Sequence, residues 1–297
     1  MNKVKIITDS CSDLSGELLA KYDIDYARMK TVYNGKETEA SLTWEYYEPK
    51  ELYDIMRRGE RVMTVQVPAA EFMRIFRLYL TEGYDIVYIG CCEKQSGSIN
   101  TGAVVAKQLK EEFPDREIYC IDALNSCMGE GMLAIRAAEE RDAGKSAKEI
   151  YDAVMPIRKT VNQFVTVNDL NCLARAGRVK ATKAFFGNLF GVKPILVCDK
   201  NGYQTPIAKA KGRKNSIDEV VRRMKEAIRD AQNQTIYLVH ADCDPEEVEY
   251  LKDKVKEEIP CRDIYVNYIG PIIGSSVGPS TIGLYAFGEE VTFAGES

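Results

Sequence analysis

The sequence predicts an α/β protein of two domains, an N-terminal parallel-sheet α/β layer over residues 1–160 and a C-terminal mixed α/β domain over 161–297. Three observations carry that expectation. In the first half, short β-branched runs alternate with amphipathic helical segments, the pattern of a parallel sheet with crossover helices. In the second half, Asn201-Gly202 between two apolar runs signals a hairpin and breaks that alternation. A chain of 297 residues with 45% hydrophobic content is long enough to build two cores.

Val4-Lys5-Ile6-Ile7 reads as a first strand, followed by a polar loop at 8–13 and a helix opening at Ser15. Thr8, Asp9 and Ser10 fall where the strands of open parallel sheets present ligands, and they serve equally well as turn and capping residues. Residues 24–43 read as irregular β structure turned at Asn34-Gly35. A short helix over 50–58 precedes a strand over 62–67 that stops at Pro68. Phe72, Ile75, Phe76 and Tyr79 then share one face of a helix and belong in a core.

Residues 85–89 read as a buried strand, 91–102 as a polar loop, and 103–113 as a helix striped by Val105, Leu109 and Phe113. Unpaired N–H groups at a helix start favour an anion, Ser96 and Ser98 add hydroxyls, and Gly97 permits close approach to the backbone. The plainer alternative is that Ser98 or Asn100 caps the helix and Gly97 sits in a turn. A further parallel strand at 118–121 ends in Asp122. Gly129-Glu130-Gly131 superficially matches a dinucleotide fingerprint, but it lies too far beyond the strand for the tight turn that motif needs. Ser146 and Glu149 form a capping box.

After 160, a strand over 164–167 leads to a helix over 170–176 ended by Gly177, then to the hairpin of 193–198 and 203–208. Two helices follow, one capped by Ser216 and Glu219, the other by Asp244 with Pro245 behind it. Strands at 235–240 and 263–268 flank the second helix, and a last strand runs near 282–287. The cleft between the two domains is the expected ligand site.

Composition narrows the function. A net charge of −5 argues against nucleic acid or an anionic membrane surface as the main partner. No apolar run reaches the length of a membrane span, and the N-terminus enters a strand with no signal peptide, so a cytoplasmic location is expected. Nine cysteines with no C-x-x-C spacing predict reduced, mostly buried thiols, with neither disulfide nor zinc site. Three polar loops stand out, at 64–68, 92–101 and 274–280, and each offers hydroxyls and N–H groups. An acyl- or phosphoryl-transfer enzyme would need a base beside Ser96 or Cys92, and His240 is the only histidine. It ends a strand, where a structural histidine is the commoner case.

Taken together, these residues resemble the DegV family of bacterial fatty-acid-binding proteins. The resemblance lies in Thr8-Asp9-Ser10 before Asp13-Leu14, Thr64 with Gln66, Ser96-Gly97 at a helix start, and Gly129 and Gly131 after Asp122. It continues through Asp169-Leu170 with Gly177-Arg178-Val179, Lys193-Pro194-Ile195, Ile269-Gly270-Pro271 and Gly278-Pro279, covering essentially the whole chain in order.

The resemblance implies a non-catalytic lipid-binding protein, without cofactor or metal, that buries one long-chain fatty acid in a tunnel between its domains for lipid transport or for presentation to a fatty-acid kinase. Thr64 and Ser96 would hold the carboxylate, with Gly97 and Ser276 lining the site. Two departures stand out: Ser276 replaces a histidine common in the family's last loop, and Cys92-Glu93-Lys94-Gln95 replaces a serine-rich loop start. Both leave room for a different head-group network or a different acid. Burying about fifteen methylenes at ~0.8 kcal/mol each gives on the order of 12 kcal/mol before association costs, so the tail supplies affinity and the hydroxyls select an acid. Arg175 and Arg178, in a basic stretch before the phenylalanines at 185, 186 and 190, would meet acidic groups of the kinase.

Overall fold

Strand β1 (Lys3–Asp9) is the spine of the first unit. It pairs in parallel with β2 (Ile24–Ala27) on one side and β6 (Tyr84–Gly90) on the other, and β7 (Ile118–Asp122) completes the order β2-β1-β6-β7. The computed structural model describes residues 3–168, 170–179 and 191–295. They divide into two compact units, one drawn from residues up to 46, 64–158 and 270–272, the other from 47–63, 159–269 and 273 onward. Among the described residues no helix is long and apolar enough to cross a membrane.

β1 and β6 are buried along almost their whole length, as expected of strands covered on both faces. Helix α1 (Gly16–Lys21) is capped by Ser15, whose side chain accepts from Leu18 N. A small ribbon of β3 (Lys30–Tyr33), β4 (Lys36–Glu39) and β5 (Met63–Val65) has the order β4-β3-β5. Asn34 and Gly35 turn β3 into β4 with φ of 50° and 75°, the left-handed pair that a two-residue hairpin demands. Helix α2 (Pro49–Arg57) belongs to the second unit. Then come α3 (Ala69–Thr81), α4 (Ser98–Glu112), α5 (Met128–Asp142) and α6 (Ala147–Ile157). The Ser146–Glu149 capping box at the start of α6 is present in full.

The second unit holds a six-stranded sheet with the order β10-β9-β8-β13-β11-β12. Its strands are β8 (Val161–Thr166), β9 (Val192–Cys198), β10 (Gln204–Lys211), β11 (Thr235–His240), β12 (Asp263–Tyr268) and β13 (Ile282–Phe287). β11 and β12 are parallel, the other neighbours antiparallel, so the sheet is mixed. Asp199 organises the hairpin turn by accepting from the N–H groups of Asn201 and Tyr203. Helices α7 (Asn171–Ala176), α8 (Arg213–Ala227), α9 (Pro245–Glu258) and α10 (Pro271–Val277) are further helices among the described residues, the first two residues of α10 falling in the first unit. Ile217, Val220, Val221 and Met224 of α8 share one core with Val248, Leu251 and Val255 of α9 and with the apolar residues of β11 and β13.

Several local expectations need correction. The strand expected over 62–67 is only three residues long. Helix α4 starts at Ser98 with Gly97 at its cap, so neither Ser98 nor Asn100 is the capping residue. Ser216 does not open its helix. Gly212, at φ 78°, turns β10 straight into α8, and the buried Ser216 hydroxyl donates to Arg213 O. The stretch 274–280 is not a loop throughout, because Pro271 opens α10 and Gly278, at φ 84°, ends it with its N–H on Gly274 O. Tyr79 is half-buried and donates to Asp25, leaving Leu80 to fill the core position. Gly131 is explained by packing: a Cβ there would sit 2.6 Å from the Ser12 carbonyl oxygen.

Candidate functional site

The end of β5 and the start of α4 are tied together by a short chain of hydrogen bonds. Val67 N–H donates to Ser98 Oγ (3.1 Å), Ser98 Oγ and Ser96 Oγ are hydrogen-bonded at 2.9 Å, and Ser98 N–H donates to Ser96 Oγ at 3.3 Å. Gln66 Nε2 donates to Thr101 Oγ1 (3.0 Å), whose hydroxyl donates to Gly97 O (3.2 Å). Gln66 also explains the glycine beside it, since a Cβ on Gly97 would lie 2.3 Å from Gln66 Oε1. The segment carrying Thr64 and the segment carrying Ser96 and Gly97 are therefore neighbours, though Thr64 and Ser96 are 32 residues apart in sequence. Thr64 is half-buried and Ser96 only 9% exposed.

Ser276 lies half-buried on α10, in the second unit. Arg175 and Arg178 are exposed at the end of α7, which closes on Gly177 at φ 69°. Arg175 O accepts from the Arg61 guanidinium (3.1 Å), and Arg178 donates to Ala176 O. Lys180 and the phenylalanines at 185, 186 and 190 lie outside the described residues, as does Asp169.

Thr8, Asp9 and Ser10 are fully buried. Asp9 Oδ1 accepts from Cys11 N–H (2.9 Å), and Oδ2 from Tyr88 OH (2.8 Å) and Cys91 N–H (3.2 Å). Glu130 Oε1 accepts from the Thr8 hydroxyl (2.7 Å) and from Asp9 N–H at 3.4 Å. Burial raises Asp9 and Glu130 above the ordinary carboxyl range, Glu130 strongly, and pushes Asp13 up to about 8 despite hydrogen bonds from Cys127 and the Gly270 backbone. These groups brace loops at the carboxyl ends of β1 and β6, a role that sequence reasoning left open for Thr8–Ser10 and missed for Glu130. A signal existed: Glu130 stands among Met128, Gly129, Gly131, Met132, Leu133 and Ala134, a segment apolar all round and hence buried.

The residues available for nucleophilic chemistry are poorly prepared for it. Burial, followed by the nearby Asp122 charge, raises the Cys92 thiol far above its ordinary value. His240 is buried, desolvation lowers its pKa, its ring centroid lies 4.3 Å from that of Tyr268, and its Nδ1 has no hydrogen-bond partner among the described residues. A general base usually has that nitrogen oriented by a third group. All nine cysteines are free thiols.

Known proteins supply the context for this arrangement. A DegV domain-containing protein of Clostridium perfringens is 33% identical over 289 residues, 97% of this chain and 99% of its own. A Thermus thermophilus structure, described as fatty acid binding of a DegV family protein, superposes with a TM-score of 0.87 at 26% identity, covering 97% of this chain and all of that one. The Bacillus subtilis DegV structure, described as a fatty acid binding protein, shares the fold with a TM-score of 0.83 at 23% identity, covering 97% of this chain and 100% of its own. The family model described as "uncharacterised protein, DegV family" matches residues 3–289, and with that match spanning nearly the whole sequence, the chain belongs to the DegV family.

Proposed function

We propose that this protein binds one long-chain fatty acid in a buried tunnel, with the acid's carboxylate on the hydroxyls of Thr64 and Ser96. One observation carries the head-group assignment: the relay from Val67 N–H to Ser98 Oγ and on to Ser96 Oγ. Either hydroxyl can donate in the Ser96–Ser98 bond, and in the arrangement where Ser98 donates the Ser96 proton is available for an incoming oxyanion. Each upstream donor polarises the next hydroxyl and strengthens the last bond. The fatty-acid binding described for the Thermus thermophilus relative supports the ligand class. Gly97 lets the Gln66 amide pack against the backbone beside Ser96, and Ser276 supplies a further hydroxyl in place of the imidazole common in the family.

Protein purified from a bacterial host should carry a fatty acid of roughly sixteen to eighteen carbons, the length whose methylenes supply the needed affinity. Native mass spectrometry with lipid extraction reads this directly. Recovery of nucleotide alone, or of no lipid under gentle extraction, would end the proposal.

Presentation of the acid to a kinase is the biological role proposed for this binding. Arg175 and Arg178 are exposed on one short segment, and rim charges of this kind set encounter rates more than ligand affinity. Arg178→Glu should leave fatty-acid affinity nearly unchanged while slowing acyl-phosphate formation by the kinase of the same genome, most strongly at low salt. Equal turnover for both proteins would remove this segment from the partner surface.

A further inference from the structure

Cys11 follows β1 and Cys91 follows β6, the adjacent parallel strand, so the sheet brings two cysteines 80 residues apart to one place. Their Sγ atoms and a carboxylate oxygen of Glu130 all lie within 4.8 Å of one another. The three residues are 2%, 1% and 0% exposed. The Cys11 sulfur also touches the Met29 thioether at 3.3 Å. Glu130 is divided in its duties. Oε1 is held by Thr8 and the Asp9 N–H, whereas Oε2 is buried with no hydrogen-bond partner among the described residues. A buried carboxylate oxygen left in that state costs free energy that a cation would recover.

We propose that Cys11 Sγ, Cys91 Sγ and Glu130 Oε2 form a binding site for one zinc ion, with the Met29 sulfur packed against it. The donor set selects the metal. Two thiolates suit a thiophilic cation, the carboxylate oxygen asks for a harder one than Cu⁺, and a divalent charge offsets the sulfurs. Sulfurs bound to one tetrahedral zinc at about 2.3 Å each stand about 3.8 Å apart, inside the 4.8 Å within which these atoms lie, so small side-chain rotations suffice. Binding releases the two thiol protons, and that of Glu130, to solvent as the Zn–S and Zn–O bonds form. Because the residues are enclosed, the ion enters as the chain folds. None of its donors is a hydroxyl proposed for the fatty acid, but Cys91 opens the same loop, whose Ser96 N–H donates to Cys92 O.

The test begins with the full chain expressed in zinc-supplemented medium under reducing conditions, then dialysed. One zinc per chain is expected, with zinc X-ray absorption fine structure showing two sulfur neighbours at about 2.3 Å and an oxygen neighbour. That measurement needs no variant. Cys11→Ala and Cys91→Ala should each lower zinc affinity at least about a hundredfold, while Cys120→Ser and Cys261→Ser leave it unchanged. A protein that retains no zinc, a metal shell without two sulfurs, or zinc that survives in Cys11→Ala would each overturn the proposal. So would isolation of the zinc-free chain with a Cys11–Cys91 disulfide from cells kept rich in zinc.

Discussion

Removing both proposed head-group donors, by Thr64→Val and Ser96→Ala, should reduce fatty-acid affinity far more than either change alone, with the far-ultraviolet spectrum unaltered. Each substitution leaves an anionic oxygen one donor short in a desolvated place, a loss of about 1–3 kcal/mol, or roughly five- to a hundredfold and above. Ser96→Ala should act the more strongly of the two, because Ser96 ends the relay that begins at Val67 N–H. The acid's methyl ester supplies the control. It carries the same tail with no anion, so it should bind weakly to the wild type and be nearly indifferent to both changes. Silent mutants, together with an ester that binds as well as the acid, would move the carboxylate elsewhere.

The largest effect on stability is expected at Phe72. Its ring is fully buried, with centroids 5.4 Å from Phe76 and 5.1 Å from Tyr88, the latter edge-on. It also fills the space over Gly102 of α4, where a Cβ would meet the ring at 3.2 Å. Phe72→Ala should cost about 3–5 kcal/mol, the sum of lost transfer energy and of a cavity that three surrounding elements close only in part. Urea unfolding followed by fluorescence and circular dichroism gives the number. A cost below about 1 kcal/mol would mean that α3 and α4 repack freely around the gap.

Much of this architecture was legible because its signals are local. The β-branched runs gave β1, β6, β7, β11, β12 and β13, and Asn34-Gly35 and Asn201-Gly202 gave their turns. What escaped depends on contacts between distant residues. Ser216 has every local mark of a cap, but Gly212 starts the helix earlier because β10 must turn sharply there. The short helix at Pro271 reads as loop because its glycine and serines are poor helix formers, held helical by Pro271 at the start and Gly278 at the end. Ser96 and Gly97 stood out by their place at a helix start, and the loops of Thr64 and Ser276 by their polar residues, whereas the carboxylate-binding role came from family resemblance. The pairing of Val67 with Ser98 leaves no periodic or compositional trace, and neither does the meeting of Cys11, Cys91 and Glu130.

The place of β13 bears on how the chain comes off the ribosome. This last strand lies between β8 and β11, pairing antiparallel with both. β8, β9 and β10 can associate once residue 211 has emerged, and β11 and β12 once residue 268 has done so. Until residues 282–287 follow, the two groups face each other with bare strand edges. The nascent second unit is thus a sheet in two pieces throughout most of its translation, while the four-stranded parallel sheet of the first unit is complete by residue 122. Any stop codon before residue 282 leaves both edges open for good, so such products should be captured by chaperones or aggregate rather than persist as shortened proteins.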